Sequence, residues 1–307
     1  MKRDSDTAKY LKVKKVVGIR MRTKLGEEAG ERILRPMIAE NVEIKEFNYL
    51  GDSDSFHDCD FIYCEDGVKN KPLMIYIHGG GWTVGSKEAR RGMLSVFAEQ
   101  GFFVVSMNYT LCPEAERFQQ IREIYSCTDF AISKSNEYGF ESGGVFFCGD
   151  SAGGHLATLA SVYKNNSNLA KLVNYNFENQ YKIVGVAPIC GVFDFRTVLS
   201  CKFMFMKKYL WAYGGKIKPF LKSERSFLES PLNFPKDFPP CFIVMGENDK
   251  LKKQSEELVF ALAKEGKQFK IYVGKGKGGF HVFPIMFTTA MAKECLCELG
   301  EYLKSLQ

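Results

Sequence analysis

Ser151 stands between two glycines at two-residue spacing, in Gly149-Asp150-Ser151-Ala152-Gly153-Gly154. The apolar run Val145-Phe146-Phe147-Cys148 leads directly into it, and the helix-like run His155-Leu156-Ala157-Thr158-Leu159-Ala160 follows. A serine at so tight a strand-to-helix turn reads as a nucleophile elbow. Any side chain at position 149 or 153 would crowd the strand and the helix, and the hydroxyl is left exposed at the top of a sheet. The helix N-terminus behind it turns backbone N–H groups toward negative charge that develops there. A serine hydroxyl is a weak nucleophile at neutral pH. Such a site therefore needs a base, an acid that orients the base, and donors for an oxyanion.

The chain has four histidines, so the base follows by elimination. His57 lies in a polar stretch ahead of the regular strand–helix alternation. His78 ends a strand just before three glycines, where it orients a loop. His155, four residues after Ser151 on the same helix, sits one turn deeper and approaches from the wrong side, so it reads as a packing or hydrogen-bonding histidine. His281 remains, on the glycine-rich loop that follows the last strand, Gly274 to Phe280. The leading candidate for the acid is Asp249, in Gly246-Glu247-Asn248-Asp249 just past a strand; Glu247 and Asp194 compete with it, and a helix N-cap is its bland alternative. The chain order Ser151, Asp249, His281 favours Asp249, because α/β-hydrolases place their triad in that order. His78-Gly79-Gly80-Gly81-Trp82 lets the backbone turn N–H groups toward a substrate oxygen without side-chain obstruction. The N–H of Ala152 would join them. The same glycines could cradle phosphate, but neither GxxxxGK[ST] nor a strand followed by GxGxxG is present, which argues against a nucleotide site.

Hydrophobic periodicity supplies the elements that must hold these residues. Strand runs are expected at 42–49, 60–64, 73–77, 102–107, 145–148, 183–189, 241–245 and 269–273. Helical runs are expected at 86–100, 115–133, after Ser151, and at 254–264 and 287–303. Alternation of continuous apolar strands with helices predicts an α/β fold: a mostly parallel central sheet covered by helices on both faces. About 50 residues separate the strands ending near Ile189 and starting at Cys241, more than a crossover needs. Residues 193–227 contain nine aromatic side chains. This predicts an apolar helical cap over the C-terminal edge of the sheet, inserted near 193–235, with Trp82, Phe205, Tyr209 and Trp211 as pocket candidates. Residues 1–45 read as an N-terminal cap segment and 46–307 as the catalytic domain.

Five motifs in this order resemble the hormone-sensitive-lipase-like branch of the α/β-hydrolases, which includes bacterial esterases and arylacetamide-deacetylase-like enzymes. They are His78 to Trp82, Asn108-Tyr109-Thr110-Leu111-Cys112-Pro113-Glu114, Gly149 to Gly154, Asp249-Lys250-Leu251 and Gly279-Phe280-His281-Val282-Phe283. The resemblance implies the triad Ser151, Asp249 and His281, and an oxyanion hole from Gly80, Gly81 and Ala152. It also implies hydrolysis of carboxylic esters with short or medium acyl chains, no cofactor, and frequent homodimers. One departure is plain: the family commonly has Asp-Tyr-Arg-Leu-Ala-Pro-Glu where this chain has Asn108 and Thr110, so a structural ion pair is missing from that loop. A ligand-binding protein on an inactive hydrolase scaffold would usually lose nucleophile or base; both are kept here. An amidase or peptidase on the same fold stays open. A chymotrypsin-like protease, suggested by Gly-Asp-Ser, needs His and Asp before the serine and an all-β pattern, and the helices exclude it.

Composition narrows the partners. Net charge is +6, yet residues 1–24 hold nine Lys or Arg against two Asp, so the basic character belongs to an N-terminal arm and the rest is close to neutral. Aromatic residues do not interleave with those basic ones, so no nucleic-acid platform is expected. The sequence has no apolar run long enough for a membrane span. The N-terminus lacks a signal-peptide core, and ten cysteines without CxxC pairs suggest a reduced, cytoplasmic protein. Cys295 and Cys297 have no further ligand nearby, so no metal site is expected there.

Overall fold

The computed structural model describes Gly18, Arg20, Met21, Leu25, Gly26, Glu28, Ala29 and residues 37–307 apart from 67 and 68. Eight strands form among these residues: β1 (Val42–Asn48), β2 (Asp58–Cys64), β3 (Lys71–Ile77), β4 (Phe103–Met107), β5 (Phe140–Asp150), β6 (Lys182–Ile189), β7 (Cys241–Gly246) and β8 (Phe269–Gly274). They make one sheet in the order β1-β2-β4-β3-β5-β6-β7-β8. Strands β3 to β8 run parallel, and β2 runs antiparallel to both β1 and β4. Every residue of β3, β4 and β7 is buried, as continuous apolar strands covered on two faces must be.

The helices in chain order are α1 (Arg91–Glu99), α2 (Gln119–Ser133), α3 (Ser135–Tyr138), α4 (Ala152–Asn165), α5 (Ser167–Val173), α6 (Met206–Gly214), α7 (Ile217–Leu221), α8 (Glu224–Leu228), α9 (Lys252–Lys264) and α10 (Ala290–Lys304). Two apolar clusters lie on opposite faces of the sheet. One joins Ile75, Val105 and Phe147 to Ile121 of α2, Leu156 of α4 and Leu258 of α9. The other joins Met74, Val104 and Phe146 to Leu94 of α1 and Leu296 of α10. This is the expected α/β arrangement.

Several boundaries differ from the sequence reading. The helix expected from 115 starts at Gln119, because Phe118 takes a left-handed φ of 62° and resets the chain. The run at 86–100 opens as a single 3-10 turn, and α1 begins only at Arg91. There Lys87 and Arg90 turn inward, onto Asp60 and Asp150 respectively, so the polar start of the run is buried in ion pairs. The helix α5, not anticipated, is capped by the Asn166 side chain on the N–H groups of Asn168 and Leu169. The sheet begins at Val42, so a boundary at residue 45 would cut β1. The cap role expected for residues 1–45, like the basic arm, lies largely outside the described residues. Between β6 and β7 the chain runs through short helices, among them α6, α7 and α8.

Candidate active site

β5 carries the chain to Ser151 and α4 carries it away within one residue. The turn needs backbone that other residues avoid: Ser151 has φ 51° and ψ −114°. The space around it is just as demanding. A Cβ on Gly149 would lie 2.5 Å from the Gly153 carbonyl. On Gly153 it would run into the carbonyl oxygen of Ile77 and lie 2.6 Å from that of His78. Both obstacles are backbone and cannot swing aside, so glycine is required at both positions.

The next two side chains come from neighbouring loops at the C-terminal edge of the sheet. Asp249 follows β7, with its backbone N–H on the Gly246 carbonyl (3.1 Å) and its Oδ1 accepting from the Leu251 N–H (2.9 Å). His281 follows β8. The two loops are stitched together: Asn248 donates from its backbone to Gly279 (2.8 Å) and from its side chain to Gly276 (2.6 Å), and Gly276 donates to the Glu247 carboxylate (2.6 Å). That bond engages Glu247 away from His281, and Asp194 is paired with Arg196 at 3.0 Å. Asp249 alone of the three candidate acids reaches the imidazole. A carboxylate only accepts, so His281 Nδ1–H donates to Asp249 Oδ2 at 2.9 Å. The bare Nε2 then accepts from the Ser151 hydroxyl at 3.0 Å. Phe203, in the stretch between β6 and β7, packs edge-on to the imidazole, with ring centroids 4.7 Å apart.

Beside the serine runs the loop after β3. Gly80, Gly81 and Trp82 have φ of 126°, 57° and 62°. A Cβ on Gly80 would strike the Val84 carbonyl, and one on Gly81 would lie 2.5 Å from the Tyr209 ring. The Gly80 carbonyl accepts from Thr83 and Val84, each at 3.1 Å, which closes the turn. Among the described residues, the N–H groups of Gly80, Gly81 and Ala152 donate to no protein acceptor. All three residues border one cavity of about 280 Å³, together with Ser151 and His281.

Residues that the sequence reading did not single out hold this loop against the elbow. The buried Asp150 carboxylate accepts from Arg90 Nε and Nη2 (both 2.9 Å), Tyr76 Oη (2.8 Å) and the Gly79 N–H (3.0 Å). Burial alone would raise its pKa, but the Arg90 guanidinium and these donors outweigh burial and hold it below the usual carboxylate value. His78 stacks on Tyr109 (4.4 Å between centroids), and its carbonyl accepts from the Tyr109 hydroxyl at 2.8 Å. His155 accepts from the Trp82 indole N–H at 3.1 Å through Nδ1 and donates Nε2–H to the Glu229 carbonyl at 2.7 Å. Burial lowers both His78 and His155 to about 4, so each stays neutral. Neither touches Ser151 Oγ. Nothing in the sequence singled out Asp150, because the cation that it holds, Arg90, lies 60 residues away along the chain.

Of the expected pocket residues, Tyr209 lines the cavity. Trp82 borders it, but its indole turns inward onto His155 and is fully buried. Phe205 and Trp211 lie outside the lining, which takes Phe203, Met206, Val192 and Ile285 instead. Helical phase explains the difference: Met206 and Tyr209 are three apart on α6 and share a face, and Trp211 falls on another.

A strained serine between β5 and α4, followed along the chain by an acid after β7 and a histidine after β8, on a mostly parallel sheet, defines an α/β-hydrolase. Residues 59–262 match the profile of the BD-FAE family, and the chain belongs to that family. It is 28% identical over 240 residues to LipM of Mycobacterium tuberculosis, named as a carboxylic ester hydrolase, covering 71% of this chain and 54% of that one. It is 24% identical over 205 residues to the α/β hydrolase R526 of Acanthamoeba polyphaga mimivirus, covering 64% and 56%. The chain thus spans about half the length of the curated relatives it matches. The crystal structure of Esterase B from Lactobacillus rhamnosis superposes with a TM-score of 0.86 at 22% identity, over 98% of this chain and 96% of that one. The fold and the kinship to α/β-hydrolase esterases expected from the sequence are therefore found. No helix among the described residues is long and apolar enough to cross a membrane.

Proposed function

We propose that this chain is a serine hydrolase of carboxylic esters with short to medium acyl chains, working through an acyl-enzyme. The observation that carries this reading is the unbroken path from Ser151 Oγ to His281 Nε2 (3.0 Å) and from His281 Nδ1 to Asp249 Oδ2 (2.9 Å), beside three N–H donors without a protein acceptor among the described residues. The ester carbonyl oxygen sits against Gly80, Gly81 and Ala152. Ser151 Oγ attacks the carbonyl carbon as His281 Nε2 takes its proton. Asp249 stabilises the imidazolium and keeps the proton on Nδ1. The three N–H groups hold the oxyanion; removing one such donor typically costs about 3–4 kcal/mol of transition-state stabilisation. Collapse expels the alcohol, which leaves with the proton from Nε2. Water, deprotonated by the same nitrogen, then releases the acid and frees Ser151.

The cavity of about 280 Å³ supports a small acyl group, since sites for drug-sized ligands start near ~300 Å³. The ester-hydrolase name of LipM and the phosphonate-inhibited form of Esterase B, a tributyrin phosphonate complex, support the same chemistry. Hydrolysis of p-nitrophenyl acetate by Ser151→Ala tests the reading. The expected loss is on the order of 10⁶-fold in kcat, as for removal of a nucleophile that works as part of a triad. A variant that kept most of its rate would overturn it. Fluorophosphonate labelling gives an independent readout, with the adduct on Ser151.

A further inference from the structure

The proposed reaction leaves one group at its centre without a role. Cys190 follows β6 directly and is fully buried, with a left-handed φ of 52°. Its sulfur accepts from the Val282 N–H at 3.4 Å, so it is fixed against the loop that carries His281. Its Sγ, a carboxylate oxygen of Asp249 and a ring nitrogen of His281 all lie within 4.8 Å of one another. This is the one cluster of metal-ligating side chains of its kind among the described residues.

We propose that Cys190, Asp249 and His281 form an inhibitory site for a thiophilic divalent cation, Zn²⁺ or Cd²⁺, which locks the general base in an inactive state. The inference rests on the reading of His281 as that base. Zinc bonds near ~2.3 Å to thiolate and ~2.1 Å to imidazole and carboxylate place tetrahedral ligand atoms about 3.5 Å apart. To reach that spacing the Nδ1–Oδ2 pair, now at 2.9 Å, opens by about 0.6 Å and the sulfur closes by at most about 1.3 Å. One thiolate, one imidazole and one carboxylate suit zinc or cadmium, and do not suit the all-oxygen preference of magnesium or calcium.

The proton balance explains the inhibition. Binding removes the thiol proton from Cys190 to solvent, and the sulfur becomes a ligand. The cation takes the place of the hydrogen on Nδ1, which had been hydrogen-bonded to Asp249; that proton moves to Nε2, so Asp249 stays a carboxylate and the ring stays neutral. One proton is released per ion bound, and no electrons are transferred. Nε2 now carries hydrogen and cannot accept the proton of Ser151. The same three atoms cannot serve as a relay and as ligands at once.

The test is a Cd²⁺ titration of the metal-free full chain in a Cys297→Ser background, since Cys297 is the exposed thiol and the other nine are buried. Cadmium–thiolate absorbance in the ultraviolet reads binding, and p-nitrophenyl acetate hydrolysis reads inhibition by Zn²⁺ and Cd²⁺, each variant compared with its own metal-free rate. One thiolate-bound ion per chain is expected, with inhibition following the absorbance and reversed by chelator. Cys190→Ser and Cys190→Ala should lose the band and weaken inhibition by more than the roughly tenfold that even an outer-shell partner contributes. Equal sensitivity of these variants and the parent, or inhibition without a thiolate band, would overturn the proposal. A band without loss of turnover would place the ion at the thiol and remove His281 from the reading as base, which separates the two failures.

Discussion

Gly153 and Asp150 show how closely single residues around Ser151 are specified. Gly153→Ala would drive a methyl into two main-chain carbonyls at the end of β3. The expected cost is at the upper end of overpacking, about 3 kcal/mol. Urea unfolding measures it, and a change under 1 kcal/mol would mean that the sheet yields there. Asp150→Asn keeps the shape but removes the buried carboxylate charge that faces the Arg90 guanidinium. It should cost about 3–5 kcal/mol. A double substitution, Asp150→Asn with Arg90→Met, should recover part of that loss; no recovery would show that Asp150 acts through Gly79 and Tyr76 alone. The glycines were legible in the sequence, because their steric reason is local to one turn. Asp150 was not. Its meaning depends on Arg90, Tyr76 and Gly79, which converge on it only after β3 and β5 pair.

At the scale of elements, the alternation of buried strands and helices announced the sheet, and four histidines were few enough for elimination to reach His281. Strand order and the antiparallel placement of β1 and β2 could not be read, since periodicity carries no pairing information. The phase of α6 was also hidden, and that phase decides that Tyr209, not Trp211, closes the cavity. Tyr209→Ala should therefore open the site beside Gly81. The preferred p-nitrophenyl ester should move to longer acyl chains by two or more carbons, at a net loss on acetate; an unchanged profile from two to twelve carbons would remove Tyr209 as the limit. A second hidden contact concerns the loop that departs from the family pattern. Arg20 donates to the Thr83 and Cys112 carbonyls (both 2.9 Å) and forms a two-point pair with Glu114 (2.7 and 2.6 Å). A guanidinium from outside the Asn108–Glu114 stretch thus grips both that stretch and the turn after Gly81. Arg20→Ala should lower kcat by roughly 10- to 100-fold through misplacement of the donors, with little change in KM. Added guanidinium ion should restore part of the rate, which a role confined to folding would not allow.

The molecule as a whole should be most stable near neutral pH, for reasons that lie outside the triad. His78 and His155 are lowered by burial from 6.5 to about 4. The unfolded chain binds those protons first, so stability is full above about 6.5 and falls as pH drops toward 4. His57 behaves in the opposite sense. Glu123 raises it first, burial opposes, and Asp52 adds to the rise, to about 9; its Nε2 stands 3.5 Å from Glu123, an ion-pair distance and not a hydrogen bond. Its contribution is full below 6.5 and lost as pH rises through about 9. Melting temperatures from pH 4 to 10 should trace a dome, and His57→Gln should flatten only its alkaline side. A level curve between pH 6.5 and 4.5 would contradict the acid side. The neutral state of His155 has one more consequence. Its two nitrogens bolt the Trp82 indole to the main-chain oxygen of residue 229, where the aromatic insertion returns to the body of the protein. Because that anchor is backbone, a transplanted insertion of foreign sequence would keep the bolt only if its return path overlaid this one. A swapped segment of equal length but altered exit would thus misalign the donors beside Ser151 without touching them.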